Sequence, residues 1–97
     1  MATVTFTPIT LTTSYQTAFS LATHGFSADM VIVTPTGGDI YAEITYVSGD
    51  IHEVAIDAGN SYPALGNGKA EGGQITLIRV KNRSVAAGTC NVGPHRN

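Results

Sequence analysis

Ile40-Tyr41-Ala42-Glu43-Ile44-Thr45-Tyr46-Val47-Ser48-Gly49-Asp50-Ile51-His52-Glu53-Val54-Ala55-Ile56-Asp57 is the stretch in which the chain declares its secondary structure. Ile40, Ala42, Ile44 and Tyr46 fall on one face of an extended segment and Tyr41, Glu43, Thr45 and Val47 on the other, the period of two that marks a half-buried strand. Ser48-Gly49-Asp50 then supplies a turn, because glycine accepts a positive φ and the Asp and Ser side chains bond their own backbone. Beyond it, Val54 and Ile56 share a side with His52, opposite Glu53. Two strands, over 39–47 and 51–57, are therefore predicted, with Ile40, Ile44, Val54 and Ile56 facing a core.

Outward from this pair, turn signals recur at short intervals: Pro35-Thr36-Gly37-Gly38-Asp39, Asp57-Ala58-Gly59-Asn60, Gly66-Asn67-Gly68 and Gly72-Gly73. That spacing belongs to a sandwich or barrel rather than to βαβ units. Further strands are expected over 3–7, 9–13, 29–34, 74–81 and 85–92. Near residue 78 the alternation slips, with Ile75 and Leu77 on one face but Ile78 and Val80 on the other, as a bulge or burial on both faces would produce. The fold class read from the sequence is all-β: one β-sandwich or jelly-roll domain over 1–97 with about seven strands. Its core takes Val4, Phe6, Ile32 and Ile75 as well as the four residues above, and 93–97 reads as a short C-terminal arm. Residues 14–26 are ambiguous. Tyr15, Phe19, Ala22 and Phe26 recur at helical spacing, Thr13 and Gln16 resemble a capping box, and Gly25 is placed to end a helix. In a chain whose other signals are all β, the segment is taken as a strand end followed by a loop.

Thirteen threonines, eleven glycines and four tyrosines against two lysines agree with an all-β reading. Charged residues make up 12% of the chain, far below the roughly 25% of an average soluble domain. A surface so short of charge resists association weakly. Lys69, Arg79, Lys81, Arg83 and Arg96 are the only strong cations, and the net charge is −2, so no nucleic-acid partner is expected. Arg79, Lys81 and Arg83 alternate along one strand, where they read as solvation or edge protection. No apolar run approaches the length of a membrane span, so no membrane partner is expected. No secretion signal is read at the start of the sequence, and Asn82-Arg83-Ser84 is taken as a chance sequon.

The chemical candidates fail one by one. Gly59-Asn60-Ser61-Tyr62-Pro63 lacks the second glycine of a nucleophile elbow. Gly66-Asn67-Gly68-Lys69 has neither the hydroxyl residue nor the helix of a phosphate loop and reads as a tight turn. His24, His52 and His95 match no zinc spacing, and Cys90, the lone cysteine, reads as a buried inert thiol. Asp39, Asp50 and Asp57 sit beside turn glycines, where aspartate is expected for the turn alone. No catalytic, cofactor-binding or metal-binding residue is assigned, no cofactor is expected, and the chain reads as a non-enzyme.

Four segments carry a family resemblance: Ile9-Thr10-Leu11-Thr12-Thr13-Ser14-Tyr15-Gln16, Gly37-Gly38-Asp39-Ile40-Tyr41, Asp57-Ala58-Gly59-Asn60-Ser61-Tyr62 and Ala87-Gly88-Thr89-Cys90-Asn91-Val92. In this order they resemble small structural proteins of tailed bacteriophages, with a Thr-rich opening strand, a glycine turn into an Ile-Tyr strand and a closing strand after a Gly-Thr step. The resemblance implies a non-enzymatic virion protein, a capsid decoration or cement protein, made in the host bacterial cytoplasm and carried into the particle. Its partners would be the major capsid protein or other virion proteins and further copies of itself, as a homo-oligomer. Alternatives are a tail or fibre accessory protein and, from a different class, a carbohydrate-binding module using Tyr15, Tyr41, Tyr46 and Tyr62. No site residue comes over from the resemblance, since its pattern concerns turns.

Overall fold

The computed structural model describes residues 7–25, 27–66, 73–83 and 88–95. They form β1 Thr7–Thr10, β2 Gln16–Ser20, α1 Leu21–His24, β3 Met30–Pro35, β4 Ile40–Tyr46, β5 Ile51–Ile56, β6 Tyr62–Leu65, β7 Ile75–Asn82 and β8 Thr89–His95. The strands make two antiparallel four-stranded sheets, ordered β1-β8-β3-β6 (sheet 1) and β2-β7-β4-β5 (sheet 2). Together these are a β-sandwich, in the strand order of a jelly roll.

That order follows from a single long hairpin. Thr45 pairs with Ile51, Val33 with Tyr62, Gln16 with Val80 and Thr7 with Val92. The midpoint of every pair falls in the same turn, 47–50. Rolling the doubled ribbon then lays β8 against β3 and β7 against β4, with Val92 beside Val33 and Val80 beside Ala42. The turn itself is closed by Tyr46 N–H donating to the Asp50 carbonyl at 2.9 Å and by Gly49 at φ 95, a conformation that costs glycine little.

Strand alternation fills the space between the sheets. Along β4, Ile40, Ala42, Ile44 and Tyr46 are buried, and they face Val31, Val33 and Val92 from sheet 1 within one apolar cluster that includes Phe19, Ile56, Ile75, Ile78 and Val80. Val54 packs against its margin. Among the described residues no polar or charged residue is buried as a whole, so burial of apolar surface is the main stabilising term.

Several sequence expectations change. Ile32 lies on the outer side of β3, between buried Val31 and Val33, because the register of β3 against β8 puts Val33 beside buried Val92 and Ile32 beside Gly93. Eight strands are present among the described residues, where about seven were expected, and β2 and β6 are the additions. Residues 14–26 hold β2 and a one-turn helix. The helix, in place of the expected loop, is capped by Ser20 rather than Thr13, with Ser20 accepting from Thr23 N–H, and it ends at Gly25, the residue placed to end a helix in the reading set aside. Gly93, Pro94 and His95 belong to β8 and pair with β3 instead of forming an arm. The expected strand 9–13 runs only to Thr10. The expected strand 3–7 with Val4 and Phe6, apart from Thr7, lies outside the described residues, as do residues 85–87 of the expected strand 85–92 and residues 96–97 of the expected arm. The expected bulge is present: β4 and β7 shift register between Thr45 and Tyr46, which pair with Leu77 and Ile75 and leave Thr76 over.

The loops at one end of the roll are held together by a close backbone approach. A Cβ on Gly88 would stand 2.7 Å from the Gly37 carbonyl carbon, and one on Gly37 would stand 2.7 Å from the Gly88 Cα. Gly88→Ala is therefore expected to lower stability by about 1–3 kcal/mol, the usual cost of overfilling packed structure. Urea unfolding would show this as a lower midpoint at unchanged slope, and an unchanged midpoint would mean the two loops do not meet.

Candidate functional site

The two outer faces of the sandwich are chemically different. Tyr41 and Glu43 of β4, Glu53 of β5 and Arg79 and Lys81 of β7 fall in the outward phase of sheet 2, opposite to the buried residues of the same strands. Backbone pairing lines them up in rows, Glu53 and Arg79 on either side of Glu43, and Lys81 and Ala55 on either side of Tyr41. Tyr15, just before β2, lies across this face: its hydroxyl donates to Glu53 Oε2 on the far edge strand, and Lys81 Nζ sits 4.5 Å and Arg79 Cζ 5.0 Å from its ring centre. Lys81 also approaches Tyr41, at 5.7 Å, and Arg83 approaches the same ring at 5.8 Å. Arg79 Nε and Nη2 both donate to Glu43 Oε1, the former at 2.8 Å.

This face satisfies itself. Its cations are spent on tyrosine rings and carboxylates, and Glu53 is spent on Tyr15. Burial first, then the hydrogen bond and the nearby charge of Glu53, push the Tyr15 phenol above its ordinary range, so it stays neutral. Of the alternating cations, Arg79 and Lys81 lie on the outward side of β7 as the sequence implies, and Arg83 follows its last residue. However, β7 is an inner strand, between β2 and β4, so they do not protect an edge.

Sheet 1 contrasts with it. No Asp, Glu, Lys or Arg occurs in Thr7–Thr10, Met30–Pro35, Tyr62–Leu65 or Thr89–His95. Its outer face instead carries a hydroxyl and amide row, Pro8, Asn91, Thr34 and Ser61, with Thr34 and Ser61 hydroxyls 2.8 Å apart. Beside that row run Gly93, Ile32 and Pro63, then Met30 and Leu65. Leu65 is 44% exposed at the end of this face.

The charged loop residues form a clamp at the end where 36–39 and 57–61 lie. Asp39 Oδ1 accepts from Ala58 N–H at 2.9 Å, Arg83 bridges Asp57 and Asp39, and Arg83 N–H donates to the Asp39 carbonyl at 2.9 Å. The Ala58 amide, and then the Arg83 guanidinium, hold the Asp39 carboxyl below its ordinary range. The bond to Asp57 raises Arg83 in return.

Residues weighed for chemistry lie apart. Cys90 is fully buried beside Pro35, where burial pushes its thiol up to about 11, the environment of an inert thiol. His52 lies against the edge of the Tyr46 ring, and His24 contacts Phe19 and Ser20 on the α1 turn. Among the described residues no three of His, Cys, Asp or Glu come together to hold a metal. Ser61 faces Thr34 with no base beside it among its described partners. Lys69 and the turn around it lie outside the described residues. No described helix is long and apolar enough to cross a membrane. The tyrosines divide: Tyr46 is buried, Tyr62 packs against the core, and only Tyr15 and Tyr41 share the outer face of sheet 2. What sequence reasoning missed is the partition of charge between the sheets. Its signal was present, since the four charge-free segments are visible in the sequence, but their assignment to one sheet needs the strand order.

No family model matches the chain, and neither curated proteins nor solved structures give a match.

The Asp39 clamp has a pH signature. A carboxyl whose folded pKa is depressed contributes stability that is present above its unfolded value, about 3.9, and is lost as pH falls through the folded value. Between pH 6 and pH 3 the wild-type melting temperature should therefore drop further than that of Asp39→Asn. Parallel pH profiles for the two proteins would show that the clamp does not persist in solution.

Proposed function

We propose that the chain is a non-enzymatic structural protein of a tailed-bacteriophage particle, which packs against the capsid shell and its own copies as a decoration or cement protein. The observation that carries this reading is the partition of charge: sheet 2 presents a charged face that bonds within itself, while sheet 1 presents a face of threonine, asparagine, proline and aliphatic residues. Charge is depleted at the centres of protein interfaces. A surface of this kind is expected of a protein that works covered by neighbours. Jelly rolls recur in viral capsid domains, in lectins and in cupins, so the strand order is compatible with the reading without selecting it.

A tail or fibre accessory role uses the same face and differs only in location. A carbohydrate-binding role fits less well. Sugar stacking needs open ring faces, and the two outer tyrosines already hold Lys81, Arg79 and Arg83 at cation–π distance. Localisation then follows assembly, from the host bacterial cytoplasm into the virion.

Purified particles of the encoding phage should contain the chain by mass spectrometry, at a copy number in simple proportion to the major capsid protein. A low copy number would move it to the tail or fibres, and absence from particles would remove the reading.

A further inference from the structure

We infer that residues 51–65, which hold β5, the 57–61 loop and β6, form a wall that opens from the sandwich as one unit while the remaining core stays closed. The inference concerns a motion of the fold and does not depend on the particle role.

The wall is one flank of the sandwich. β5 is the edge of sheet 2 and β6 the edge of sheet 1, and the 57–61 loop carries the chain directly from one to the other. Each pairs with a single strand, β5 with β4 and β6 with β3. The opposite flank has the same plan, with β1 and β2 at the other two edges and the 11–15 crossing between them.

What holds the two flanks differs. The β1–β2 flank sets Leu11 and Phe19 into the core, 2% and 0% exposed. In 51–65 only Ile56 and Ala64 are buried, Val54 and Tyr62 are half-buried, and all the rest are exposed. Little of the apolar burial that stabilises the sandwich therefore comes from this segment.

Its other ties are polar and lie at the surface. Glu53 accepts from the Tyr15 hydroxyl, Asp57 pairs with Arg83, Ala58 N–H donates to Asp39 Oδ1 at 2.9 Å, Gly59 N–H donates to the Pro35 carbonyl at 2.8 Å, and the Ser61 hydroxyl meets that of Thr34 at 2.8 Å. Exposed ion pairs stabilise little, and segments with few buried apolar contacts and solvent-exposed hydrogen bonds open at the lowest free energy. Four of these ties, at Asp57, Ala58, Gly59 and Ser61, sit in the loop between the two strands. They are shared by both strands, which is why β5 and β6 leave together.

The ends of the wall are fixed from outside it. At one end the 47–50 turn carries Gly49 at φ 95, and at the other Gly66 N–H holds the Asp29 carbonyl at 2.8 Å. Between these hinges, opening leaves Phe19, Ile75, Ile78 and Val80 packed in the core. It unpairs one side of β4 and one side of β3, both inner strands of the closed sandwich, and unpaired strand edges accept an added strand. The wall is thus a cover over two such edges.

Native-state amide hydrogen exchange of the full chain, followed by nuclear magnetic resonance in rising urea below the unfolding transition, tests this. The protected amides of β5 and β6 should share one opening free energy and one urea slope, smaller than the global slope, and exchange roughly a hundredfold or more faster than those of β7 and β8. Those of β2, an edge strand as well, should exchange with β7 and β8. Phe19→Leu, in the core and away from the wall, should speed exchange in β7 and β8 about tenfold or more and leave β5 and β6 within about twofold. Val92→Ala takes its place if that variant fails to fold. Asp57→Asn removes a tie that both opening and unfolding break, so it should speed both sets by one factor, up to about fivefold. Exchange in β5 and β6 that scatters without urea dependence, that matches β7 and β8, or that Phe19→Leu accelerates as much as theirs overturns the inference. So does an Asp57→Asn effect confined to β7 and β8.

Discussion

Each strand of this protein finds its first partner at an equal distance on the other side of one turn, 47–50, and the rest of the structure depends on that symmetry. Thr45 with Ile51 is the shortest such pair and Thr7 with Val92 the longest, so the outermost pairing needs nearly the whole chain in place. Contacts of such long sequence separation carry a loop-closure cost before they stabilise anything. No half of the sequence contains both sheets' inner strands. The core, which draws on β2, β3, β4, β7 and β8 together, therefore forms as one unit.

The same symmetry sorts the strands. Rolling the ribbon sends β1, β3, β6 and β8 to one sheet and β2, β4, β5 and β7 to the other, and the first set contains no acid or strong base. Nothing in the hydrophobic core requires this, because the inner residues of both sheets are alike. The charged rows of sheet 2 are also weak contributors to stability: exposed ion pairs and cation–π contacts are worth about 1 kcal/mol or less each. What they do is close that face. Tyr15, reaching over β7 and β4 to Glu53 on β5, bonds one of the carboxylates of this face. The sandwich is thus asymmetric in charge: one face carries ionised groups that bond within it, and the strands of the other carry no acid or strong base.

How much was legible in the sequence depends on where alternation carries information. The 40–56 hairpin and the bulge near 78 could be read because polar and apolar residues alternate there and the phase is visible. Met30-Val31-Ile32-Val33 is apolar in both phases, so nothing local distinguishes Ile32 from Val33, and only the partner strand decides. β2 was hidden by its own bulge, which buries Ala18 and Phe19 in succession and breaks the period of two. A run of aromatics at helical spacing then supplied a false alternative. β6 is four residues long and contains Pro63, a residue that argues against strand unless the strand lies at an edge, as this one does. Of the surface, the opposed faces of Tyr41 and Tyr46 could be read within one strand. The span from Tyr15 to Glu53 could not, because it crosses four strands whose order is set by the roll.

The claim that everything else rests on is the rolled hairpin, and cross-strand nuclear Overhauser effects in the isotope-labelled protein test it most directly. The account predicts backbone contacts between Ile32 and Gly93, between Ala42 and Val80 and between Ile9 and Cys90, together with the local hairpin contacts of Ala42 with Val54. Contacts placing β8 beside β7, or β3 beside β4, as an up-and-down meander would, contradict it, and with it the division of the strands into a charged and an uncharged sheet.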